Sequence, residues 1–173
     1  EPVSSTSDEV YYILKKRLFK ELPPEDEIID IANAYKKAIS EAKQMGYTNM
    51  SPDQIFIGIK DSYPFHPSIK NLYARFKENE GFQQTRGLIR LMRRVVFQLY
   101  SGDNPRAKDK YLINVFDFDL SDPVMLTTIT QVKPSLTNAI AHDVFSYGKS
   151  VAEGVDAKMG ANTMQEVAKL LLV

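Results

Sequence analysis

Four arginines fall within nine residues of this chain: Arg86, Arg90, Arg93 and Arg94. A guanidinium is always charged and offers its donors as a planar fork, so such a cluster suits phosphate or carboxylate recognition. Three other groups invite a chemical reading: Gly148-Lys149-Ser150, the aspartates 117 and 119, and His66 between Pro64 and Pro67. Gly-Lys-Ser ends a phosphate-binding loop, but such a loop needs a second glycine five residues before its last one, and a strand ahead of it. Here that position is Asp143, whose carboxylate would repel phosphate, and Leu136 to Phe145 has helical spacing. The aspartates read as turn and cap residues, and His66 as a cap or packing residue. No Gly-x-Ser-x-Gly, His-Glu-x-x-His, calcium loop or Gly-x-Gly-x-x-Gly is present, so the chain by itself reads as non-catalytic.

The arginines must be positioned by the segment from Gln84 to Tyr100. At about 100° per residue, Leu88, Leu91, Met92, Val95 and Leu99 share one arc while Arg86, Arg90 and Arg93 gather opposite, which predicts an amphipathic helix. Ile89, Phe97 and Tyr100 lie on or beside the arginine side, so that side is expected to border a second contact. The plainer alternative is an ordinary charged surface.

Elsewhere helical stripes dominate. Thr6 and Glu9 form a capping-box pair for a helix through about Glu21, with Val10, Ile13, Leu14 and Leu18 inward. Glu25, Asp26 and Glu27 suit the positive end of a second helix dipole, with Gly46 beyond its last turn. Ser51-Pro52 opens a short segment to Lys60 in which Ile55 to Ile59 fits a helix or a strand. Tyr63-Pro64 and His66-Pro67 require extended backbone before each proline, and Pro67 opens a helix buried through Ile69, Leu72, Tyr73 and Phe76 and closed by Gly81. Ser101 to Pro105 is the best internal break, dividing a domain 1–104 from a smaller one, 105–173. In the latter, Tyr111 to Phe118 is β-prone and Ser121 caps a helix to Val132. Helices are predicted over 134–145, 150–159 and 162–173, the last with an Asn162 and Gln165 capping pair. The expected class is mainly α, with at most one short strand.

Tyr63-Pro-Phe-His-Pro67, followed by Phe82-Gln-Gln-Thr-Arg-Gly-Leu88, resembles the DUF499 family, large prokaryotic P-loop ATPases associated with anti-phage defence. The likeness extends to Arg17-Leu18-Phe19 and Leu120-Ser121-Asp122-Pro123. The Arg86 region is also similar to the second-sensor helix in the lid of AAA+ ATPases, although Gln83 and Gln84 stand where that pattern has Gly and Asp. The resemblance implies a helical lid that packs on an ATPase core of the same polypeptide. Arg86 would then sense the nucleotide, with Arg90, Arg93 and Arg94 available for phosphate or interface contacts. ATP and magnesium are implied for the parent protein, not for this chain.

Composition sets bounds on these readings. The 173 residues are 43% hydrophobic, enough for one sizeable core or two small ones, and carry no cysteine and two histidines, which disfavours disulfides and thiolate or histidine metal sites. The formal net charge is zero, so nucleic-acid binding would have to use the local arginine patch and be independent of sequence. No apolar run approaches a membrane span, and a cytoplasmic origin fits. The chain starts without Met and stops at Leu-Leu-Leu-Val, as expected of a piece of a longer protein. Two functions remain: a regulatory lid acting through Arg86, or a nucleic-acid-binding or helical interaction module that could contact DNA and other subunits of a defence complex. Arg86 paired with an acid of another helix is the structural alternative to both.

Overall fold

The computed structural model describes residues 7–79, 82, 84–102 and 105–172. The expected Thr6 cap, the closing Gly81 and the Gln83 substitution lie outside these residues. The described chain is mainly α-helical and contains no sheet, and none of its helices is long and apolar enough to cross a membrane. Its contacts group into two units, 1–69 with 109–113, and 70–108 with 114–173. The boundary expected at 104 falls inside the second unit.

In the first unit, α1 (Ser7–Leu18), α2 (Glu25–Gln44) and α3 (Pro52–Ser62) pack together. The Ser51 hydroxyl accepts from the Gln54 amide at 3.4 Å and Pro52 occupies the first turn, which starts α3 as a helix. The spacing confirms it: Ile55 and Ile59 are buried four residues apart, while Ile57 between them is 57% exposed. They meet Ala32 of α2, whose small side chain allows close approach, and Leu112 joins them. α1 ends at Leu18 rather than near Glu21, and Phe19 turns its ring onto the edge of Phe65 at 5.9 Å.

Phe65 is fully buried, stacked also on Tyr11. It is held by one parallel β-bridge to Ile113, in which the His66 amide donates to the Ile113 carbonyl and the Ile113 amide to the Pro64 carbonyl, both at 2.8 Å. This bridge is all that forms of the strand expected over Tyr111 to Phe118. The Asn114 amide donates to the Asp117 carboxylate at 2.7 Å, and Val115–Asp117 winds into a 3₁₀ turn instead.

α4 (Ser68–Phe76) enters the second unit at Lys70. Its Phe76 ring meets Phe82 edge-on at 5.3 Å, and α5 (Gln84–Ser101) then begins. Gly87 is required there, because a Cβ at that position would lie 1.6 Å from the Phe82 carbonyl oxygen. The expected arc of Leu88, Leu91, Met92, Val95 and Leu99 is buried throughout. α6 (Pro123–Val132) is capped by Asp122, not by Ser121, which is instead bound in a turn to the Asp119 carboxylate. With proline in the first turn, Asp122 is the residue whose carboxylate reaches the Val124 amide, at 3.1 Å.

α7 (Leu136–Ala139) runs into a π-helical turn, Ile140–Val144, and α8 (Val151–Met159) and α9 (Thr163–Leu171) follow. The Asn162 side chain makes no cap bond. The buried Asp156 carboxylate does that work from α8, accepting from the Met164 amide at 2.8 Å and the Gln165 amide at 3.0 Å. Those amides outweigh the burial that opposes its charge and lower its pKa.

Candidate functional site

Burying one side of α5 determines what the other presents. Arg86, Arg90 and Arg93 recur at helical spacing and all three are exposed; Phe97 and Tyr100 extend the same stripe, 52% and 58% exposed. Arg86 sits in the first turn, and among the described residues it has no ion pair.

Arg94 is different. Its guanidinium grips Asp122 through two parallel bonds, Nε to Oδ2 at 2.7 Å and Nη2 to Oδ1 at 3.1 Å, and Gln98 Nε2 adds a third at 2.8 Å. The Arg94 bond, overcoming burial, pulls the Asp122 carboxyl below its ordinary pKa, and the same bond raises that of Arg94. Asp122 thus joins α5 to the start of α6, leaving Arg94 less able to engage an outside anion.

A groove of about 280 Å³ runs between α5 and α6. Arg90, Arg93 and Arg94 form its cationic side, and Phe97, Val124 and Met125 its apolar side. It gathers three of the four candidate arginines; Arg86 is not among its lining residues. The arrangement can hold an anion against an apolar floor. The Arg94–Asp122 pair was not legible in the sequence, because nothing in local spacing connects residues 28 apart.

The other candidates have local roles. His66 Nδ1 accepts from the Ser68 amide at 3.1 Å at the start of α4, and burial lowers its pKa. Asp117 and Asp119 serve turns. Gly148-Lys149-Ser150 does form an anion cradle, with Tyr147 and Gly148 at positive φ, but it is filled. The Glu153 carboxylate accepts from the amides of Ser146, Gly148 and Ser150 at 2.8, 2.9 and 3.1 Å, and from the Ser150 hydroxyl at 2.8 Å. Burial opposes its charge, yet these donors bring its pKa down to about 2. The donors of the cradle are therefore taken up by a carboxylate of the chain itself. A Ser-x-x-Glu capping box at 150–153 was the available sequence signal for this arrangement.

A family model described as the DUF499 second domain matches residues 5–159. No curated protein and no solved structure matches the chain.

Proposed function

The chain belongs to the DUF499 family, and from that premise we propose that it is a non-catalytic, lid-like regulatory domain whose Arg86 reads the nucleotide state of an ATPase core elsewhere in the same polypeptide. One observation carries this: Arg86 is exposed in the first turn of a helix whose opposite side is fully anchored, without an acidic partner among the described residues. A charge held on a rigid helix and left uncompensated is suited to an anion supplied by another domain. A guanidinium engages terminal phosphate oxygens in a bidentate manner, so domain orientation becomes coupled to whether that phosphate is present. ATP and magnesium belong to the core in this reading. A place in a phage-defence assembly follows from the family resemblance.

In the full-length protein, Arg86→Ala is expected to reduce ATP turnover about 10-fold or more while the isolated domain melts unchanged. Normal turnover would sink the sensor role. Loss of domain stability would instead mean that Arg86 serves the fold of the domain itself.

A second reading is favoured by Phe97 and Tyr100, which continue the arginine stripe as exposed aromatics. A stripe of guanidinium groups that continues into aromatic rings suits single-stranded nucleic acid, with phosphates on the arginines and bases on the rings. Binding would then fall steeply with salt, and each arginine removed would flatten that slope.

A further inference from the structure

The second unit contains a pocket away from the arginine stripe, among α4, α6, α7 and α9. Its wall is apolar, with Phe76, Phe118, Ile129 and Ile140 all buried around it. Its polar groups are of one sign: Arg75, Lys133 and Lys169 line it, and no carboxylate does among the described residues.

Size limits the occupant. The space that the centre of a water molecule can reach is about 40 Å³. Since one water needs about 10–15 Å³ on that measure, the pocket has room for roughly three waters, or one branched aliphatic side chain. A lipid acyl chain of about a dozen carbons would leave most of its length outside.

Charge limits it further. Lys169 donates from Nζ to the Phe116 carbonyl at 3.2 Å, although an ammonium has two more protons to place. Burial lowers its pKa despite the carboxylates of Asp119, Glu166 and Asp117 in its surroundings, with Arg106 acting in the same sense as burial. Arg75 and Lys133 form no ion pair among the described residues. An arriving carboxylate would offset the charges of Arg75 and Lys133, whereas a neutral or basic group would not.

We propose that this pocket anchors one aliphatic side chain of an acidic peptide segment on a partner protein, with flanking carboxylates paired to Lys169, Lys133 and Arg75. The reading is independent of Arg86.

The test is methyl NMR of the chain titrated with acetyl-Asp-Glu-Leu-Asp-Asp-amide. Shifts confined to the methyls that line the pocket, those of Ile129, Leu136 and Ile140 among them, and saturating below about 10 mM, are expected. Affinity should fall about fivefold or more for the Asn/Gln version of the peptide and for Lys169→Met, and vanish when glycine replaces its leucine. If Lys169→Met unfolds the unit, Arg75→Gln with Lys133→Gln should show the same weakening. Equal binding of the uncharged peptide, tighter binding of octanoate, or no shifts at all would overturn the proposal.

Discussion

Glu153→Gln removes the anion from the cradle at 146–150 while keeping the side chain's shape. A carboxyl held at about 2 in the folded state, against an ordinary 4.5, corresponds to about 3 kcal/mol of linkage. Because the side chain is partly exposed, solvent screening reduces this to about 1–2 kcal/mol. The sign follows from which state protonates first. The folded pKa is the lower, so the stabilisation is complete above about 4.5 and is lost as pH falls toward about 2. Urea melts of both proteins across that range should differ by about 1–2 kcal/mol at pH 7 and converge at the acid end. Hydrogen exchange supplies a local readout, since the amides of Ser146, Gly148 and Ser150 should lose protection in the variant. A stability difference that does not change with pH, or unaltered exchange at these amides, would refute the account.

Two further perturbations address α5. Gly87→Ala should destabilise the second unit by about 3 kcal/mol or more, because the new methyl meets the Phe82 backbone rather than a movable side chain; thermal melts check it, and near-native stability would mean that this turn yields easily. Asp122→Ala removes both the α6 cap and the partner of Arg94, for an expected loss of about 2 kcal/mol in urea melts at pH 7. Since the folded pKa of Asp122 is lowered, that difference should shrink on acidification below the ordinary carboxylate range, and a constant difference would argue against the charged pair.

Much of the fold was legible locally. The α5 arc was written in the spacing of Leu88, Leu91, Met92, Val95 and Leu99, and the start of α3 in Ser51-Pro52, because periodicity and capping act within a few residues. The exposure of Arg86, Arg90 and Arg93 followed from that arc. Other features depended on residues distant in sequence. Tyr111 to Phe118 had the alternation of a strand, but among the described residues its one β-bridge joins Ile113 to Phe65, and the Asp117 carboxylate caps a 3₁₀ turn directly after it. Asn162 was a credible cap until folding placed the Asp156 carboxylate at the same amides. Asp143 argued against phosphate at Gly148-Lys149-Ser150, while the carboxylate that occupies the cradle emerged only with the fold. Helical spacing set Arg94 apart from Arg86, Arg90 and Arg93, but did not show which acid it would meet. Its separate role depends on Asp122, and local patterns carry no information about which charges long-range packing will bring together.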